Sequence, residues 1–178
     1  MADNVFLQNK RKLGLAEYMN FNAGDRGNLG EELPVVVYRL MEYSLREQLT
    51  EQFGEEEQVN IFRKAGYRAG VYFAENLLDI SLKLNEFIAS LQTRMEEMKI
   101  GVLRIEKFEQ ETGKIILTVS EDADCSGLPL LGETVCNYDE GFIAGVLSTY
   151  MGKEYSATEV DCWATGDRVC RFCAEPAE

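Results

Sequence analysis

From residue 33 onward the apolar positions Leu33, Val37, Leu40, Met41, Leu45, Leu49 and Phe53 recur at steps of three and four. That spacing predicts an amphipathic helix over 33–53, with Pro34 where a first helical turn tolerates it and Gly54 able to end it. A second helix is expected over about 59–78, its apolar face reading Phe62, Ala65, Gly66, Ala69, Gly70, Phe73 and Leu77. Glycine inside a helix costs about 1 kcal/mol relative to alanine. Close approach of another backbone, or of a ligand, would offset that. A third helix is expected over about 82–99, with Leu84, Phe87, Ile88, Leu91, Met95 and Met98 on one face.

The period then changes. Residues 100–109 and 114–121 alternate as strands around the turn Gln110-Glu111-Thr112-Gly113, and a loop from 122 to 131 holds Cys125, Gly127 and Pro129. Asn137, followed three residues later by Glu140, predicts a capped helix start. That helix runs to about Met151, stops at Gly152 and carries Gly141 and Gly145 one turn apart. Residues 154–163 and 168–175 read as two strands around Thr165-Gly166-Asp167. Helices, hairpin, helix, hairpin is the order of an α+β fold, with helices packed on an antiparallel sheet of about four strands. Residues 1–30 read as an N-terminal arm and 31–178 as one domain.

The 178 residues suffice for one domain with a real core. With 31 acidic against 18 basic residues the net charge is -13, which repels phosphate backbones and anionic lipids. No nucleic-acid or membrane partner is therefore expected. The chain shows neither a long apolar run nor a basic-then-apolar start, so a cytoplasmic location with reduced cysteines is expected. It has no histidine, which excludes mechanisms built on an imidazole base.

Four of the five cysteines lie between Cys136 and Cys173. Without histidine, such a cluster binds zinc through sulfur and carboxylate, and the candidates are Cys136, Glu159, Cys162 and Cys170. Gly166 lies midway between Cys162 and Cys170, so a hairpin turning there sets the two sulfurs opposite each other, with Cβ atoms about 5 Å apart. Glu159 lies three residues before Cys162, and a regular strand would place them on opposite faces; a bulge is required. Cys125 and Cys173 are the rival fourth ligands, although Cys173 sits at an odd step from Cys170 and should point away. Buried free cysteines acting as small apolar side chains are the alternative to a metal.

The run Cys136-x4-Gly141, Tyr150-Met151-Gly152, Glu159-Val160-x-Cys162-x3-Gly166-x3-Cys170-Arg171 resembles the signature of the 4-vinyl reductase domain. Gly66-Tyr67-x2-Gly70 and Glu111-Thr112-Gly113 fit upstream, in order. This fold is shared with the sensory domains of phenol-responsive activators and is related to subunits of the vesicle-tethering transport complex. It is the ligand-binding domain of NO-signalling and Golgi-transport proteins. The resemblance implies a dimer, an apolar pocket between helices and sheet, and a structural zinc held by Cys136, Glu159, Cys162 and Cys170. Two departures remove phenol recognition from what it implies. The polar-anchor histidine is missing, and Glu86 stands where a tryptophan would precede Phe87-Ile88-Ala89.

The expectation is a zinc-stabilised homodimer that binds a small apolar, hydrocarbon or tetrapyrrole-like molecule beside Tyr67, Phe73 and Phe87 and acts through a separate effector protein. An assembly or adaptor protein is the alternative. The family name associates it with vinyl-group reduction, but reduction needs a hydride or electron donor, and the chain has no phosphate-cradling or dinucleotide motif. An enzyme is not expected.

Overall fold

The computed structural model describes residues 13–20, 30 and 32–177. The chain divides into two units, Met1–Glu32 and Leu33–Glu178. The described part of the first contains one short helix, α1 (Leu15–Tyr18). Most of the arm expected over 1–30 lies outside the described residues.

The second unit runs α2 (Val35–Phe53), α3 (Glu55–Leu77), α4 (Leu84–Glu97), β1 (Val102–Phe108), β2 (Ile115–Ser120), α5 (Asn137–Met151), β3 (Tyr155–Asp161) and β4 (Cys170–Pro176). The strands form one antiparallel sheet in the order β1-β2-β4-β3. It is the α+β arrangement expected from the sequence. Leu103, Ile115, Leu117, Val119, Phe172 and Ala174 are buried within it, and α5 packs against β3 and β4.

Helices α3 and α5 meet backbone to backbone. A Cβ on Gly66 or Gly70 would overlap the carbonyl oxygen of Tyr138 or Phe142, and one on Gly141 or Gly145 would overlap that of Arg63 or Tyr67. The helical glycines thus serve the approach of a second backbone. With that contact on one side and the sheet on another, every α5 residue from Asp139 to Ser148 is buried.

The 33–53 helix forms where expected, but its apolar stripe faces outward. Leu40 is 71% exposed and Met41 65%, with Val37 and Leu45 also exposed, and Glu42 is the helix's buried residue. Its inner face is polar because it bonds to loops rather than to the core. Arg39 donates to the carbonyls of Ala123 and Ser126 at 2.8 and 2.7 Å, Tyr38 to Asp124 at 2.5 Å, and Tyr43 to the Asp124 carbonyl at 3.0 Å.

Two further expectations are corrected. Cys136, not Asn137, is the N-cap of α5. The Asn137 Oδ1 accepts from Arg46 at 2.9 Å, while Glu140 accepts from the Glu159 amide and from Arg63 instead of reaching back to the helix start. Nor are Cys162 and Cys170 cross-strand partners. Cys162 follows β3 and leads into a 3-10 turn, Trp163–Thr165, closed by Gly166 in the left-handed region at φ +105°, whereas Cys170 pairs with Val119 of β2.

Candidate metal centre

Four chain segments bring one cysteine each to a single point under α5. Cys125 comes from the loop after β2, Cys136 caps α5, Cys162 follows β3 and Cys170 begins β4. All four are buried, and their sulfurs lie within 4.8 Å of one another. Individual Sγ–Sγ separations are 3.1 Å for Cys125–Cys170, 3.6 Å for Cys136–Cys170 and 3.9 Å for Cys136–Cys162. A tetrahedral zinc with bonds of about 2.3 Å separates its sulfurs by about 3.8 Å. The observed spread brackets that value, and an all-thiol, histidine-free donor set suits a closed structural zinc site. The residues fit the ion.

The electrostatics agree with the geometry. Hydrogen bonds from the neighbouring thiols, that of Cys125 first, pull the Cys162 thiol far below its ordinary range; the same contacts push Cys136 far above it. The cluster favours one thiolate held by its neighbours, and a divalent cation would stabilise the rest as thiolates.

Three of the four ligands expected from the sequence, Cys136, Cys162 and Cys170, converge here; the fourth sulfur is that of Cys125. Glu159 is buried beside them. Its Oε2 accepts the Cys136 amide at 3.1 Å, its Oε1 has no hydrogen-bond partner, and burial followed by the charge of Cys162 pushes its pKa up to about 8. The bulge required to bring Glu159 towards Cys162 is present between Glu159 and Asp161. Cys173 is half-buried on the strand face opposite Cys170, close to Lys114.

The supports of the site come from three helices. Glu140 on α5 accepts the Glu159 amide at 2.9 Å and Arg63 of α3 at 2.5 Å. Arg46 on α2 donates to the Val135 carbonyl at 2.7 Å and to Asn137, gripping both neighbours of Cys136. Periodicity could not announce these grips, since Arg39 and Arg46 read as the solvated side of an amphipathic helix.

The aromatics expected around a ligand do not share one space. Phe73 packs edge-on against Phe142 at 5.1 Å, and Phe87 stacks on Tyr150 at 3.9 Å. Tyr67 borders a shallow surface groove with Ser148, Thr149 and Lys153. The enclosed apolar cavity lies elsewhere, among Ile88, Leu91, Met95, Leu103, Phe142 and Val146, with a volume of about 10 Å³. That is room for about one water molecule.

The comparisons with known proteins converge on this part of the chain. Residues 115–176, which carry all five cysteines, match the vinyl-4-reductase (4VR) domain family. The uncharacterized protein MJ0150 of Methanocaldococcus jannaschii is 24% identical over 170 residues, covering 96% of this chain and 91% of that protein. Three solved structures share the fold. The phenol-responsive sensory domain of the transcription activator PoxR, with phenol, has a TM-score of 0.63 at 16% identity and covers 83% of this chain and 76% of its own. A vinyl-4-reductase family protein from Methanocaldococcus jannaschii gives 0.58 at 15%, covering 84% and 85%. A trafficking protein particle complex subunit 3 from Naegleria fowleri, covalently bound to palmitic acid, gives 0.64 at 12%, covering 81% and 95%. No helix among the described residues is long and apolar enough to cross a membrane.

Proposed function

With residues 115–176 of this chain matching the vinyl-4-reductase domain, we propose that it is a zinc-stabilised dimeric domain that binds a small apolar molecule and acts through a separate effector protein. The observation that carries the reading is the convergence of four buried sulfurs at the separations of a tetrahedral ion. When bound, zinc would supply no chemistry beyond cross-linking; Cys125, Cys136, Cys162 and Cys170 would tie the loop after β2, the start of α5 and the β3–β4 connection together. Such thiolates suit a reducing compartment such as the cytoplasm. Glu159 is then a neighbour that holds the Cys136 amide, with Cys125 taking the corner that the family resemblance gives to the carboxylate.

The ligand reading is supported by the apolar cavity between α4, α5 and the sheet, and by what two of the similar structures carry: phenol in the PoxR domain and palmitic acid in the trafficking subunit. In this chain the cavity has to enlarge before an organic molecule enters. The outward stripe of α2, with Leu33, Val36, Val37, Leu40 and Met41 exposed, supports the dimer. It also favours the second reading, an adaptor that offers this face to other proteins.

Elemental analysis of purified protein, sizing by light scattering and native mass spectrometry with long-chain fatty acids and a porphyrin test the reading together. Bound zinc, a dimer mass and a retained apolar adduct are expected. A metal-free, monomeric protein whose melting temperature no such compound shifts would overturn it. A dimer with zinc but no adduct would favour the adaptor.

A further inference from the structure

A second set of buried donors adjoins the four sulfurs and is not used by them. Asp122, Asp139 and Cys136 each place a ligand atom within 4.8 Å of the other two. Asp122 is 3% exposed; one carboxylate oxygen accepts the Asp124 amide at 2.7 Å, and the other, Oδ2, has no hydrogen-bond partner. Asp139, also buried, lies in side-chain contact with Asp122. Asp124, two residues on, is buried as well, and its Oδ2 is likewise without a partner.

The two guanidinium groups nearest this cluster are engaged elsewhere. Arg39 bonds to the carbonyls of Ala123 and Ser126, with that of Asp122 at 3.5 Å, and Arg46 bonds to Asn137 and Val135 and lies 3.6 Å from Glu42. Neither neutralises the unpartnered Asp122 oxygen. Two carboxylates in contact, away from water and beside a thiolate cluster, repel each other strongly unless a positive charge lies between them. That charge is either a shared proton or a cation.

We propose that Asp122, Asp139 and Cys136 bind a second divalent cation, with the Cys136 sulfur bridging it to the ion among the four cysteines. The donor set selects the class of metal. Calcium and magnesium take oxygen ligands alone, whereas a mixed carboxylate and thiolate set suits zinc or a cation of similar softness. Three protein donors leave one position of a tetrahedral ion for water. The inference rests on the four-sulfur reading, because the bridge needs an ion on its other side.

The test is a count of zinc ions by native mass spectrometry and elemental analysis on the full chain, loaded with zinc chloride and desalted. Two ions per chain are expected for the wild type, falling to one in the double variant Asp122→Asn/Asp139→Asn, with its melting transition retained. One ion in the wild type would overturn this inference and leave the four-sulfur site standing, a shared proton then accounting for the two carboxylates. No ion would overturn both. Two ions in wild type and double variant alike would place the extra ion elsewhere and overturn the inference. Should the double variant fail to fold, the wild-type count and the single variant Asp139→Asn, expected to hold the second ion at least tenfold more weakly, decide the matter.

Discussion

Helices α5 and α2 both brace the sulfur cluster, and they do so with opposite chemistry. Helix α5 is apolar and buried on all sides, lies against α3 through Gly141 and Gly145, and offers Cys136 from its N-cap. Helix α2 turns Tyr38, Arg39, Tyr43 and Arg46 inward onto the loops that carry Cys125 and Cys136, and leaves Leu40 and Met41 outside. The first is held by shape, the second by hydrogen bonds to loop backbone. Hydropathy along a helix therefore reports that a face is apolar, not which neighbour covers it.

The contrast can be broken most sharply at Gly141. In an isolated helix, glycine to alanine would add about 1 kcal/mol of stability. Here Gly141→Ala drives a Cβ into the Arg63 carbonyl, and we expect a loss of about 3 kcal/mol or more in chemical denaturation. A gain would show that the two helices separate easily.

Next in size is Arg46→Met, which keeps a long apolar stem but removes the donors to Val135 and Asn137. A loss of about 2 kcal/mol is expected, because buried acceptors lose a charged partner. Metal retention against a chelator should fall with it. Unchanged values on both counts would mean that α2 merely covers the site.

The pH response of α2 is smaller. Burial, and then the charge of Asp124, push Glu42 up to about 8, partly offset by Arg46. Between the ordinary carboxylate range and that value the folded protein keeps a proton that the unfolded chain has released. Glu42 therefore stabilises the fold at low pH, and that contribution fades as pH climbs from about 5 to about 8. Glu42→Gln should match the wild type near pH ~5 and exceed it by about 1 kcal/mol near pH ~8. Parallel melting curves at both pH values would contradict this.

The smallest expected effect on folding is that of Leu40→Ser with Met41→Ser. Core positions of this kind cost about 2–5 kcal/mol when truncated to alanine, whereas exposed ones stay within about 0.5 kcal/mol. Monomer stability should be preserved while the dimer proposed above dissociates at higher concentration, as read by light scattering. A large loss of stability would return the stripe to the core.

Much of the fold was legible because it depends on local periodicity. The three helices before β1, both hairpins and the helix ending at Gly152 lie within a few residues of the expected limits, and the sheet is antiparallel with four strands. The gathering of Cys136, Cys162 and Cys170 was legible from spacing and resemblance. Cys125 could not be chosen over Cys173 or Glu159 beforehand, because an irregular loop has no period that aims a side chain. The orientation of α2 and the location of the cavity depend on contacts between distant segments. Tyr67, Phe73 and Phe87 illustrate this: apolar spacing identifies buried aromatics without telling a packed ring from a pocket wall.

The interlocked glycines of α3 and α5 also decide where the protein can move. Sliding one helix along the other by a single residue would set side chains against main chain, so the pair behaves as one rigid strut. Any breathing that widens the apolar void must therefore fall to α4, whose tethers include the bond from Gln92 to the Leu103 carbonyl and, just before it, that from Tyr150 to the Leu82 carbonyl. The gate is a helix resting on a fixed frame.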